Sequence, residues 1–170
     1  MKKISLALCI LILSFMSCSN PKGYSDLDKL YADFVVKLKD PNPEQLKAYC
    51  YAITPDQHTV DYMKENAFSY RGIPEELEKQ KLQPSYIGDV YYKAVLAFKE
   101  KLQRRQQLND LQYIGREQEG EQLYNEKLQI YVTETFILME SKGDTISCKL
   151  GEMFKIDGAW KSFTSPKLGW

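Results

Sequence analysis

Two glutamates, Glu134 and Glu152, each interrupt an otherwise apolar alternation in the last third of the chain. From Leu128 the even positions read Leu128, Ile130, Val132, Glu134, Phe136 and Leu138. From Ile146 they read Ile146, Cys148, Leu150, Glu152, Phe154 and Ile156. On paired strands the two carboxylates would stand ~5 Å apart if directly opposite and ~7–8 Å apart if diagonal. A three-residue loop at 142–144 makes them opposite, and one at 141–143 makes them diagonal. Two carboxylates on one dry face repel, which raises at least one pKa and suits that group to acid–base work or to anchoring a ligand. The plainer reading is a wet stretch of sheet, or a Lys or Arg paired with them.

Other chemistry-bearing residues are sparse. His58 is the one histidine, on a polar stretch with Asp61 close behind. Cys50 lies eight positions before it, but a thiol nucleophile needs an accessible, paired thiolate, and Cys50 falls on an apolar face. A structural thiol fits better. No nucleophile elbow, phosphate-cradling Gly loop or paired-Cys metal spacing occurs, so the sequence names no metal and no cofactor. The tyrosines, 12 in all, are spread over every element and serve packing first.

The start of the chain carries an address. Lys2 and Lys3 precede an apolar run, Ile4 to Met16, too short to span a bilayer. Phe15-Met16-Ser17-Cys18 resembles the lipobox of bacterial lipoproteins, in which a small residue precedes the cysteine that becomes the acylated N-terminus. Met16 and Phe15 depart from the preferred Leu and small residue. Residues 1–17 are expected to be a signal peptide, Cys18 the lipidated first residue, and 18–24 its tether. Stable anchoring follows from ~0.8 kcal/mol per buried methylene. Ser19 resembles the sorting residue of outer-membrane lipoproteins, implying a periplasm-facing or cell-surface location.

Removing the leader leaves about 150 residues, enough for one domain with a real core over 25–170. It also removes Lys2 and Lys3 from a balance of 23 basic and 23 acidic residues. The small acidic excess gives no pull toward nucleic acid. Lys99, Lys101, Arg104 and Arg105 cluster on a predicted helix surface and read as a solvated face. With Cys9 discarded and Cys18 acylated, Cys50 and Cys148 are left. In an oxidising periplasm they could bridge, closing a loop worth up to roughly 4–5 kcal/mol. Two buried free thiols is the preferred reading.

Periodicity supplies the elements that position these groups. Ser25 is a cap, with Asp28 at the capping-box position, for a helix burying Leu27, Leu30, Tyr31, Phe34, Val35 and Leu38. Asn42-Pro43-Glu44 starts a second helix and Thr54-Pro55-Asp56 a third, reaching about Ala67. Phe68 to Gly72 read as irregular, and Pro74 opens a short charged helix. Pro84-Ser85 precede the longest helix, fading near residue 109. The period then changes to 2. Leu111 to Arg116 predict a strand, EQEGEQ a polar interruption, and the two alternating runs a pair of strands. Asp157-Gly158 signals a closing hairpin. A two-residue turn would align Phe163 with the core face and turn Trp160 away, whereas a longer turn does the reverse. Helices first and an antiparallel meander last predict an α+β domain with its helices on one sheet face.

The stretch GEMFKIDGAWKSF, with Asp157-Gly158 and then Trp160-Lys161, resembles the closing hairpin of NTF2-like and cystatin-like domains. That resemblance implies a curved antiparallel sheet rolled around a cavity that holds small ligands, performs catalysis in some members, or binds partners. It covers about the last forty residues. The family's early hairpin, between the second and longest helices, has no clear counterpart here unless Phe68 to Ile73 supplies part of one.

Together these readings favour a lipid-anchored envelope protein with a non-catalytic domain for a small ligand or envelope partner. Two alternatives stand beside it. One is an immunity- or inhibitor-type lipoprotein acting through a surface patch. The other is a small acid–base enzyme using Glu134 and Glu152.

Overall fold

Asp26, between Ser25 and the first buried leucine, shapes the start of the body. In a computed structural model, which describes residues 23–67, 83–126 and 130–168, its carboxylate accepts the Lys29 N–H at 2.7 Å and caps α1 (Leu27–Lys39). The cap is therefore Asp26 and not Ser25. Both residue types cap well, and the carboxylate one step nearer wins. Asn42 caps α2 (Pro43–Ile53) with Pro43 in its first turn, as its sequence predicts. Asp56 takes both the N–H and the hydroxyl of Thr59 at the start of α3 (Gln57–Ala67). The long helix α4 (Pro84–Arg104) stops short of the predicted fade. Gln106 adopts φ +56°, its N–H reaches Gln103 O, and Gln107 N–H reaches Leu102 O, both at 2.9 Å. This is a Schellman-type stop made without glycine, which is why composition did not reveal it. The predicted leader, Cys18 and the segment 68–82, with the helix expected from Pro74, lie outside the described residues.

Among the described residues five strands follow: β1 (Gln112–Asn125), β2 (Ile130–Ser141), β3 (Asp144–Cys148), β4 (Met153–Ile156) and β5 (Ala159–Ser162). The antiparallel order is β1-β2-β4-β5, with β3 alongside β2 beyond the end of β4. The polar run EQEGEQ is not an interruption. It belongs to β1, whose pairing with β2 shifts register between Glu119 and Leu123. As an edge strand β1 needs only one partner, and a polar sequence is tolerated there.

The buried face of β2 is the opposite of the one its apolar residues suggest. Thr133, Thr135, Ile137 and Met139 are buried, while Val132, Glu134, Phe136 and Leu138 are half-buried. The cause is one residue of turn. Ser141 pairs with Asp144 across a two-residue loop, with Lys142 and Gly143 both at positive φ. That pairs the odd positions of β2 with the even positions of β3, Ile137 with Cys148 and Met139 with Ile146. A three-residue loop would have kept even with even, and a one-residue slip exchanges every side chain between faces. The second alternating run breaks too. Between β3 and β4, Gly151 takes φ +98°, and a Cβ there would stand 2.5 Å from both Ser162 Oγ and Thr164 O. Past that kink Met153, at an odd position, faces the core.

The resulting α+β body has one main core, in which α1, α2 and α4 bury Leu30, Phe34, Leu46, Ile53, Val95 and Leu102 against the sheet. The Asp157-Gly158 turn has two residues, with Ile156 paired to Ala159. Trp160, not Phe163, nonetheless enters the main core, because past the Gly151 kink the odd positions of β4 face that core and Trp160 pairs with Lys155. Phe163 joins Phe154 on the opposite face in a second cluster around Ile130 and Ile156, to which α3 contributes Tyr62.

Candidate functional site

Where α2 ends and α3 begins, the chain passes beside β5. The corner is held by Lys161, whose side chain is 4% exposed. Its Nζ donates to Ala52 O at 2.8 Å, in the last turn of α2 where carbonyls lack helical partners, and stands 3.8 Å from Asp56 Oδ2. Burial by itself would raise the Asp56 pKa. The two Thr59 hydrogen bonds and the Lys161 charge outweigh it and hold the carboxyl below its ordinary value.

In the first turn of α3, His58 Nε2 lies 2.6 Å from Asp157 Oδ2 on the β4–β5 turn. The left-handed φ of Asp157 and Gly158 makes the tight turn that brings this carboxylate to the helix. The hydrogen bond to Asp157, and its charge, raise the His58 pKa above the usual imidazole value. Both side chains are mostly in water, 73% and 62% exposed. Between these pairs lies an open cleft of about 400 Å³, lined among others by Asp56, His58, Thr59, Ile156, Asp157 and Lys161. It offers both signs of charge, hydrogen-bond donors and acceptors, and an apolar floor.

The residues singled out in the sequence go elsewhere. Glu134 lies on the face turned away from the main core, with Lys149 Nζ 3.5 Å from its carboxylate. Lys149 is nearly buried and sits 4.3 Å above the Phe136 ring. The structure puts a basic partner, Lys149, beside Glu134, while the cross-strand partner of Glu134 in β1 is Glu119, and Glu152 lies one position past the end of the β2–β4 ladder, which closes at Thr133 with Met153. Glu152 precedes β4, and its backbone N–H donates to Thr164 Oγ1 at 2.8 Å. Cys50 and Cys148 are buried free thiols, both pushed up to about 12 by burial, so neither is a thiolate at neutral pH.

Buried tyrosines act as struts. Tyr49 donates to Leu30 O at 2.9 Å and Tyr91 to Leu150 O at 2.6 Å, and burial drives both pKa values far upward. Tyr31, pushed up to about 12 by burial, shares a hydrogen bond with Thr135 Oγ1.

His58 was visible in the sequence, but its partner lies 99 positions away. Asp157 was legible only as a turn residue and Lys161 only as part of a Trp-Lys pair. Among the described residues, no three His, Cys, Asp or Glu side chains gather to hold a metal, and no helix is long and apolar enough to cross a membrane. No protein family, no curated protein and no solved structure matches the chain.

Proposed function

We propose that the chain is a lipid-anchored envelope protein whose α+β body binds a small ligand or an envelope partner without catalysis. Residues 1–17 direct export and are removed, Cys18 carries the acyl chains, and the outer membrane holds the anchor with the body facing the periplasm. Support for this half is the charged start, the short apolar run and the small residue before Cys18. The likeness to NTF2-like and cystatin-like domains belongs to the same proposal and rests on the Asp157-Gly158 hairpin with Trp160-Lys161.

One observation carries the binding half. The cleft between the start of α3 and the β4–β5 turn has the volume of a small-molecule site, and its charges are met in pairs, His58 with Asp157 and Lys161 with Asp56. Such a site recognises a ligand by its donors and acceptors. Both thiols are buried and protonated, which removes the obvious nucleophiles. A small polar molecule carrying both a donor and an acceptor suits the cleft.

The test uses the body from residue 22 onward as bait in an envelope extract. A small molecule that co-purifies with the wild type and is lost from His58→Ala supports the reading. A stoichiometric protein partner retained by His58→Ala favours the neutralising-surface alternative. An empty bait in both forms counts against ligand binding.

A further inference from the structure

Among the described residues, most of the exposed large apolar side chains are scattered, Val36 on α1, Tyr86 and Val90 one turn apart on α4, and Ile114 near the start of β1. Scattered exposure of that kind is ordinary. One pair is in ring contact. Tyr124 and Tyr131 are 51% and 45% exposed with ring centroids 5.0 Å apart, while Leu123, 63% exposed, projects from the other face of β1. They lie where β1 ends and β2 begins.

Strand pairing ties this patch to the start of the body. Tyr124 pairs with Tyr131, Tyr131 with Lys155, Lys155 with Trp160, and Trp160 with Tyr24. One row thus crosses the end of the sheet, spanning ~19 Å at the usual strand spacing. Its aromatic end is in water. Its other end is where the tether enters. There Trp160 N–H donates to Tyr24 O at 2.7 Å. Gly23 packs so closely on the hairpin that a Cβ would stand 2.9 Å from Ala159 Cβ. The exit of the tether is therefore fixed on the body. From Gly23 back to Cys18 is five residues, a reach of ~18 Å at most.

Resting on the reading of Cys18 as the lipidated residue, we infer that this end of the sheet lies on the membrane that holds the anchor, with Tyr124 and Tyr131 in the headgroup layer. The tether is too short to lift the row far from the surface, and the row is short enough for its far end to reach the same plane. Tyrosine is suited to that depth because its ring is apolar and its hydroxyl wet. The charges nearby choose the lipid. Asp61, Glu126 and Asp157 are exposed at this end beside Lys155 and His58, so the surface that fits is zwitterionic rather than anionic.

The full lipidated chain is placed in phosphatidylcholine vesicles with and without brominated acyl chains. Tyr124→Trp is compared with Ile114→Trp, a site of similar exposure near the other end of the same strand, ~30 Å away. The wild-type signal of Trp160 and Trp170 is subtracted. Bromine quenches Tyr124→Trp roughly twofold or more beyond Ile114→Trp, and replacing half the lipid with phosphatidylglycerol reduces the difference. A chain that floats with vesicles but is quenched equally at both sites overturns the docking and leaves the anchor standing. A chain that fails to float overturns both. Unquenched Tyr124→Trp in a chain that sediments as a dimer assigns the patch to a second copy and overturns the membrane contact.

Discussion

The two faces of the sheet carry similar apolar sequences and end in different states. Toward α1, α2 and α4, Ile137, Met139, Ile146 and Met153 are fully buried. On the other side Val132, Phe136 and Leu138 are half-buried, and Phe154 and Phe163 pack with Ile130 and Ile156 in a small second cluster. Helix cover, rather than strand composition, decides which face becomes the core. The covered face even accepts two threonines, and these form a comparison of their own. Thr135 Oγ1 shares a hydrogen bond with Tyr31, whereas Thr133 Oγ1 is buried with no partner.

The largest effect should come from truncating each face in turn. Ile137→Ala should cost about 2–5 kcal/mol and Leu138→Ala under about half of that, measured by denaturant unfolding. Equal costs would break the distinction between faces. Next comes the kink that lets the chain change faces. Gly151→Ala places a Cβ 2.5 Å from Ser162 Oγ and Thr164 O at φ +98°, and should cost about 2 kcal/mol or more by the same measurement. A neutral result would show that the β3–β4 break can relax.

The threonines sharpen the comparison within the covered face. Thr135→Val should lose about 1 kcal/mol by orphaning the Tyr31 hydroxyl. Thr133→Val should be neutral or gain up to about 1 kcal/mol, because it removes a buried hydroxyl without a partner. The thiols report the same sealing. Cys50 and Cys148 should resist a thiol reagent at pH 8 in the native state and react once denatured, since burial holds both near 12.

The smallest effect lies on the wet cleft. His58 is the one histidine, so its NMR titration is unambiguous. Its midpoint should lie above 6.5 and fall back toward it in Asp157→Asn. A folded value raised above the unfolded one means that the pair contributes its full stability below pH 6.5 and loses it as pH rises through the raised value. Thermal stability should therefore drop slightly across that window in the wild type and not in Asp157→Asn.

Helix faces were legible because a period of 3.6 selects a single stripe, and all six residues expected from α1 are buried. The identity of the sheet's core face was not, because period 2 offers two stripes and here both are apolar. What decides between them is one residue of turn at Lys142-Gly143 and a kink at Gly151, each local, while its consequence runs the length of a strand. Threonine misled as well, since it reads as polar yet packs readily in a strand once its hydroxyl has a partner. The cleft was not legible for another reason. Its acid, imidazole and lysine come from segments about a hundred positions apart, and only folding brings the start of α3 to the last hairpin.

At the centre of the functional account is the proposed acylation of Cys18. Cells grown with labelled palmitate should yield a mature chain that carries the label and begins at Cys18, while Cys18→Ala carries none. Label absent from the wild type, or retained by Cys18→Ala, would contradict the account.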